Sequence, residues 1–170
     1  MKKIGIIVGS LRQNSLNKKL AETFIKIGHP DLEFSFIDIK DIPLFSEDLE
    51  DNPAKSIRLM RQAIEKSDII LFMVPEYNRS LSGVLKNVID WASRPYNQSC
   101  LKGKKAAMAG ISYSPVGTAV AQSHLRSILP IIGMQLIRQP EMYITYKEDV
   151  FDDEKTKLFF KTFLNSLALS

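Results

Sequence analysis

The feature that most constrains the fold of this chain is a short apolar strand that ends in a loop of small and polar residues. Residues 4–8 read Ile-Gly-Ile-Ile-Val, and residues 9–17, the first loop, read Gly-Ser-Leu-Arg-Gln-Asn-Ser-Leu-Asn. A continuous apolar run bounded by glycine is typical of a parallel strand covered on both faces. A helix that begins at the end of this loop presents free backbone N–H groups and the positive end of its dipole. The pattern therefore predicts a site for an anion, and a phosphate above all.

Two lysines, Lys18 and Lys19, follow at the start of this helix. Cations in the first turn oppose the helix dipole and cost about 0.3–1 kcal/mol each. A bound dianion would reverse the sign of that interaction, which strengthens the prediction of a phosphate.

Strand and helix patterns alternate along the rest of the chain. Apolar runs predict strands over residues 4–8, 32–39, 67–74, 105–111 and 135–137. Apolar residues at helical spacing predict helices over residues 16–27, 54–66, 83–93, 118–131 and 152–167. This alternation predicts an α/β fold with a parallel sheet wrapped by right-handed crossovers. Five strands favour the flavodoxin-like order 2-1-3-4-5, in a three-layer sandwich formed by residues 1–170 as a single domain.

Composition excludes several classes of protein. The chain has 170 residues, of which 45% are hydrophobic and 25% charged, as in an average globular protein. No apolar run approaches the ~20 residues that span a bilayer, and the N-terminus lacks a signal-peptide pattern, so we expect a cytoplasmic location without membrane contact. The single Cys100 fits a reducing compartment. The net charge of +4 is dispersed among acidic residues, which favours a small anionic ligand over nucleic acid.

Ligands of such sheets bind where the strand order reverses, between the first and third strands. The loops at that point are the first loop and residues 75–83, the second loop, which reads Pro-Glu-Tyr-Asn-Arg-Ser-Leu-Ser-Gly. Tyr77 offers a flat surface to an aromatic ring, and Asn78 offers a donor and an acceptor to the edge of a pyrimidine-like ring. An ordinary exposed turn explains any one of these residues about as well, whereas the whole loop at this position favours a ligand.

These two loops closely resemble those of the NAD(P)H-dependent FMN reductase family, which includes flavin, quinone, azo-dye and chromate reductases. The resemblance extends over essentially the whole chain, and its most specific part is the segment 75–95. By this resemblance the first loop matches the FMN phosphate loop, and residues 75–78 match the loop beside the isoalloxazine. The cofactor-binding residues that it implies are Ser10, Arg12, Ser15, Leu16, Asn17, Pro75, Glu76, Tyr77, Asn78 and Ser112. It also implies a homodimer or homotetramer with the flavin near the subunit boundary.

A third loop, residues 110–117, follows the fourth strand. The family commonly has several glycines there, whose backbone faces the flavin, whereas this chain keeps Gly110 and Gly117 with Ser112, Tyr113 and Ser114 between them. We expect this loop to influence the choice of electron acceptor. Ser112 either hydrogen-bonds to the flavin or serves only the turn.

The resemblance implies an oxidoreductase that transfers hydride from NADPH or NADH through bound FMN to a flavin, quinone, azo dye or similar small-molecule acceptor, in a ping-pong cycle. Because FMN supplies the chemistry, we expect no catalytic nucleophile, general base or metal. The alternative is a flavodoxin-type electron-transfer protein without nicotinamide turnover. The basic composition and the Ser-x-Arg-x-x-Ser loop favour the enzyme. A phosphate-binding regulator without flavin is a third hypothesis, which the Tyr77-Asn78 pair disfavours.

For five further residues we prefer a structural or surface role to a catalytic one. We expect Glu76 to be a loop carboxylate that contacts backbone amides, because flavin reduction needs no acid catalyst. Trp91 fits packing or a dimer contact, and Cys100 fits a buried, inert thiol. We expect His29 at a helix end or on the surface, and His124 on the surface or at an interface.

Overall fold

Strands and helices alternate along the chain in the structure, a computed structural model that describes residues 1–170. The strands are β1 (Lys2–Val8), β2 (Leu32–Phe36), β3 (Ile69–Met73), β4 (Glu76–Tyr77), β5 (Ser80–Leu81), β6 (Lys105–Ser112), β7 (Gln135–Leu136) and β8 (Met142–Thr145). The helices are α1 (Leu16–Ile27), α2 (Lys55–Glu65), α3 (Gly83–Ala92), α4 (Ala119–Ile131) and α5 (Glu154–Leu169), with a 3-10 turn at Glu47–Leu49.

The central sheet is parallel and confirms the predicted order, with β2, β1, β3 and β6 side by side. The fifth position is shared by two short strands. β7 pairs with the start of β6, where Gln135 lies opposite Lys105, and β8 pairs with its end, where Met142 lies opposite Ala109. The sequence predicted only the segment 135–137 there and missed β8. A strand of four residues, Met142–Thr145, is too short for its alternating burial to stand out in the sequence.

Other strand and helix boundaries differ by a few residues from those predicted from the sequence. β2 ends at Phe36 rather than at residue 39, although the N–H of Ile37 still donates to the carbonyl of Ile6 at 2.9 Å. The strand predicted over residues 67–74 is limited to Ile69–Met73. The last helix begins at Glu154, because Asp153 caps it by accepting a hydrogen bond from the N–H of Thr156. Strand and helix ends are the positions that a periodic pattern defines least well.

The sheet separates two apolar cores. On one face α2, α3 and α4 pack around Phe72 and Trp91, and on the other α1 and α5 pack around Phe24, whose ring lies 5.3 Å from that of Phe160. Trp91 is fully buried, and its indole N–H donates to the carbonyl of Pro43 at 2.8 Å. The prediction that Trp91 serves packing is therefore confirmed.

The loops after β1, β3 and β6 meet at one edge of the sheet, because the carboxyl ends of parallel strands lie together. Hydrogen bonds of Gly9 join the first loop to the end of β3 and to the second loop. The N–H of Gly9 donates to the carbonyl of Met73 at 2.9 Å, and the hydroxyl of Ser82 donates to the carbonyl of Gly9 at 2.6 Å. A Cβ atom at Gly9 would lie 2.8 Å from Cδ of Pro75, so only glycine allows this approach. None of the helices has the length and apolar character needed to cross a membrane.

Candidate functional site

The first loop ends in a helix start whose amides are free. Ser15 is the N-cap of α1, and its hydroxyl accepts a hydrogen bond from the N–H of Lys18 at 3.3 Å. The N–H groups of Leu16 and Asn17 have no acceptor within the chain, and the first turn of α1 contains no acidic residue. The side chain of Arg12 is exposed beside them. Free amides, a helix dipole and a guanidinium together favour an anion here.

Asn17 joins the first loop to the third. Its side chain is 4% exposed, its amide nitrogen donates to the carbonyl of Ile111 at 3.1 Å, and its amide oxygen accepts from the N–H of Ile111 at 3.1 Å. The side chain of Asn17 thus holds α1 against β6, while its backbone N–H has no acceptor within the chain. The sequence offers no local signal for this contact, because the two residues are 94 positions apart.

The second loop folds into a small hairpin of β4 and β5. Tyr77 pairs with Ser80, and the two residues between them, Asn78 and Arg79, have φ angles of 49° and 59°. Two consecutive left-handed residues are typical of the tight hairpin turns that match the twist of the strands. The turn leaves the side chains of Tyr77 and Asn78 exposed, as a surface for a ligand requires. This hairpin was not predicted from the sequence, since its strands have only two residues each.

Glu76 caps a helix that is distant in the sequence. Its Oε2 accepts hydrogen bonds from the N–H groups of Val120 and Ala121, both at 3.0 Å, in the first turn of α4. Its Oε1 lies 3.2 Å from the guanidinium of Arg79, and its side chain is 6% exposed. Thr118, the N-cap of α4, makes no capping bond with its own side chain. The prediction that Glu76 is a loop carboxylate contacting backbone amides is confirmed.

Side-chain hydrogen bonds brace the third loop internally. The hydroxyl of Ser112 donates to the carbonyl of Gly117 at 2.6 Å and accepts from the N–H of Ser114 at 3.2 Å. Ser112 therefore serves the turn, which is one of the two roles that the sequence left open. The ring of Tyr113 is 69% exposed, and its centroid lies 5.0 Å from that of Tyr146.

The three loops enclose one open depression, the central cleft. Its lining residues are Ser10, Arg12, Ser15, Leu16, Asn17, Pro75, Glu76, Tyr77, Ile111, Ser112 and Tyr113. Nine of the ten predicted binding residues lie in this lining, and the tenth, Asn78, lines an adjoining cleft together with Tyr77 and Arg12. Ile111 and Tyr113 were not predicted as site residues. The position of Tyr113 in the third loop was the available signal for it.

Comparisons with known proteins identify the family. The sequence profile described as NADPH-dependent FMN reductase matches residues 2–149. The chain belongs to the NADPH-dependent FMN reductase family. This reductase is 42% identical over 172 residues to a 2-hydroxy-1,4-benzoquinone reductase of a Burkholderia species, covering 98% of this chain and 94% of the relative. It is 36% identical over 171 residues to a quinone reductase of Pseudomonas putida, covering 97% of this chain and 92% of the relative.

A solved structure supports the same family assignment. The flavoenzyme FerB of Paracoccus denitrificans, an NAD(P)H:(acceptor) oxidoreductase, superposes on the reductase with a TM-score of 0.94. The two chains are 38% identical, and the match covers 99% of this chain and 96% of FerB. The reductase is accordingly an oxidoreductase that uses FMN and NAD(P)H.

The residues present in the cleft fit FMN. Its phosphate needs several donors and a positive potential, which the free amides of α1, Ser15 and Arg12 provide. Its ring needs a wall that is partly aromatic and partly polar, which Tyr77 and the backbone after Pro75 provide. An anionic and an aromatic part of one ligand thus find matching partners within the same cleft.

The two histidines and the cysteine lie outside the lining of the central cleft. Nδ1 of His29 accepts from the N–H of Asp31 at 3.1 Å after the end of α1. The exposed His124 lies on α4, and its Nδ1 is 3.0 Å from the hydroxyl of Ser80. Burial raises the pKa of the Cys100 thiol to about 11, so this thiol stays protonated and unreactive at neutral pH. These findings confirm three predictions: His29 lies at a helix end, Cys100 is a buried and inert thiol, and His124 lies on the surface.

Proposed function

We propose that this reductase holds FMN in the central cleft and passes electrons from NAD(P)H to a quinone. The observation that carries the proposal is the convergence of free amide donors and an exposed tyrosine on one cleft, at the point where the strand order reverses. Sites at this position are the rule in open α/β sheets.

The first loop would bind the phosphate of FMN. The N–H groups of Leu16 and Asn17 have no other acceptor, and the hydroxyls of Ser10 and Ser15 line the same cleft. The guanidinium of Arg12 adds a positive charge that suits two phosphate oxygens at once. Lys18 contributes through the general potential, because its ammonium lies 3.9 Å from Glu22 and is half exposed.

The second and third loops would surround the ring. When bound, FMN supplies the hydride chemistry, and the protein contributes binding, orientation and electrostatics. The backbone of residues 75–78 and the amide of Asn78 offer donors and acceptors to the ring edge. Tyr77 and Tyr113 present exposed aromatic faces beside the cleft, which suit a planar electron acceptor.

The acceptor class is supported by the relatives. The Burkholderia relative is named for reducing a benzoquinone, and the P. putida relative is named a quinone reductase. Both cover more than nine-tenths of this chain, including all three loops. An open cleft with aromatic walls accommodates a flat quinone without polar partners on every side.

A single series of measurements tests this function. The purified protein should take up one FMN per chain, and NADPH or NADH should bleach it without oxygen. A steady-state panel of benzoquinone, an azo dye, free FMN and chromate should then give the highest kcat/KM for the quinone. Bound flavin that no nicotinamide bleaches would instead indicate the electron-transfer protein. Protein that binds no FMN would refute both functions.

We also propose a homodimer or homotetramer in which the cleft lies near the boundary between subunits. The support is the family resemblance together with the exposure of Tyr77 and of Leu11, which is 52% exposed beside the adjoining cleft. Sedimentation equilibrium should give a mass of two or four chains. A mass of one chain would contradict this part of the proposal alone.

We further propose that residues 1–170 form a single domain. The two apolar cores support this, because they share the strands of one sheet.

We also propose a cytoplasmic location. It is supported by the protonated, unpaired thiol of Cys100, which suits a reducing compartment. Fractionation of cells that produce the protein at its natural level tests the location.

A further inference from the structure

The second loop places a charged pair directly beside the central cleft. Glu76 lines the cleft, and its carboxylate lies 3.2 Å from the guanidinium of Arg79. The side chain of Glu76 is 6% exposed, whereas that of Arg79 is 65% exposed. A charge in such a place is only partly screened by water, so it acts on whatever occupies the cleft.

The same carboxylate compensates a helix dipole. The start of α4 carries a partial positive charge of roughly half an elementary charge, because its first amides lack carbonyl partners. Glu76 accepts from two of these amides at 3.0 Å. The carboxylate and the guanidinium therefore cancel each other, and the helix end leaves the group with a total charge of roughly half a positive elementary charge.

Helix capping alone does not require this arrangement. A neutral Ser, Thr or Asn at the N-cap is sufficient to satisfy the first amides of a helix. In α4 the side chain of Thr118 makes no capping bond, and the charged Glu76 accepts from these amides instead. Arg79 also has a φ of 59°, a conformation that costs a non-glycine residue about 1–2 kcal/mol. In that conformation the guanidinium of Arg79 lies 3.2 Å from the carboxylate of Glu76, which lines the central cleft.

We propose that the pair of Glu76 and Arg79 sets the reduction potential of the bound flavin. This inference rests on the proposed function, in which FMN occupies the central cleft. Hydride transfer from the nicotinamide adds two electrons and one proton, so the flavin gains one negative charge. Fixed charges near a flavin ring tune its electronics. The carboxylate opposes the added charge, and the guanidinium and the helix end favour it.

The test is the midpoint potential of the FMN-loaded protein, measured by equilibration with reference dyes. Glu76→Gln keeps the shape of the side chain and should raise the potential, because it removes the negative charge. Arg79→Gln should lower the potential, because it leaves Glu76 uncompensated. The double variant should return close to the wild-type value. Arg79→Lys keeps the charge and should shift the potential less than Arg79→Gln.

The controls are Lys3→Gln and Glu33→Gln, which remove one charge of each sign. Lys3 and Glu33 lie opposite each other near the amino ends of β1 and β2, away from the edge that carries the cleft, and both are exposed. Neither variant should shift the potential, because charges beyond a Debye length of about 8 Å are largely screened at physiological salt.

The opposite signs make the result decisive. Shifts of the same sign in Glu76→Gln and Arg79→Gln, or no shift in either, would overturn the proposal and show that the pair only stabilises the hairpin. If Glu76→Gln does not fold, the comparison of Arg79→Gln with Arg79→Lys decides the question. Failure of the wild-type protein to bind FMN would instead contradict the proposed function.

Discussion

Ser15 caps α1 and lines the central cleft at the same time. Its hydroxyl accepts from the N–H of Lys18, and replacement of such a cap by alanine costs about 1 kcal/mol. We expect Ser15→Ala to lower the free energy of unfolding of the apoprotein by that amount and to weaken FMN binding as well. Urea denaturation and a fluorescence titration with FMN measure the two effects.

The matched control for Ser15 is Asp153, the cap of α5. Its carboxylate accepts from the N–H of Thr156 at 2.7 Å, and it does not line the central cleft. Asp153→Ala should therefore lower stability to a similar extent and leave the dissociation constant of FMN unchanged. Equal losses of FMN affinity in the two variants would show that Ser15 acts only through the stability of the protein.

Cys100 makes the stability of the protein sensitive to alkaline pH. Its pKa rises from 9.0 to about 11 on folding because of burial, so the folded state keeps the thiol proton at a pH where the unfolded state loses it. This contribution is complete below about pH 9 and is lost as the pH rises toward 11, with an upper limit of roughly 2.7 kcal/mol.

Replacement of Cys100 by alanine isolates this effect. We expect the free energy of unfolding of the wild type to fall more steeply between about pH 9 and about pH 11 than that of Cys100→Ala. Chemical denaturation at a series of pH values measures both slopes. Parallel slopes would show that the thiol does not titrate differently in the two states.

At the scale of elements, Asn17 connects α1 to β6. Its two hydrogen bonds to Ile111 replace bonds that the backbone would otherwise make with water. Asn17→Ala leaves a buried N–H and a buried C=O unpaired, which costs about 1–3 kcal/mol each. We expect a loss of about 2–4 kcal/mol in the unfolding of the apoprotein by urea, given partial relaxation.

Asn165 provides the comparison for Asn17. It is exposed on α5, and Asn165→Ala should change the free energy of unfolding by less than about 0.5 kcal/mol. A small effect of Asn17→Ala, similar to that of Asn165→Ala, would mean that water replaces the two bonds and that the first and third loops are independent.

The elements differ in how far they could be predicted from the sequence. The strand at residues 4–8 and the helix after the first loop were predictable, because apolar periodicity is a local signal. The hairpin around Asn78 and Arg79 and the strand β8 were not, since their strands are too short for an alternating pattern to show in the sequence. The contact of Glu76 with a helix 44 residues away was predictable in kind, as a carboxylate on amides, but not in its partner.

At the scale of the whole molecule, topology brings together what the sequence separates. The three loops of the cleft are far apart in the chain, and the parallel order of β1, β3 and β6 places their carboxyl ends side by side. For that reason a strand order and a motif were enough to predict nine residues that line the central cleft. The orientations of Ser112 and Asn17 were not, because they follow from packing between the loops.

The overall charge leads to a prediction about the electron donor. The chain has a net charge of +4, and Arg12, Lys18 and Lys19 line a further cleft beside the start of α1. A positive field increases the encounter of anions, and salt weakens it as the Debye length falls from about 30 Å at 0.01 M to about 10 Å at 0.1 M. NADPH carries one phosphate more than NADH. We therefore expect the KM for NADPH to rise more steeply with salt than the KM for NADH, with kcat unchanged for both.

The corresponding variant is Lys18→Gln, which removes one charge near the cleft. Its KM for NADPH should increase by a larger factor than its KM for NADH, and the difference should disappear at high salt. Lys157→Gln is the control, because Lys157 lies on α5 and lines none of the clefts around the first loop. Steady-state kinetics with a quinone as acceptor gives the KM for NADPH and for NADH in the wild type and in each variant. An equal salt dependence for both donors would show that the donor binds away from the positive field, and that the charge of this surface serves the FMN phosphate alone.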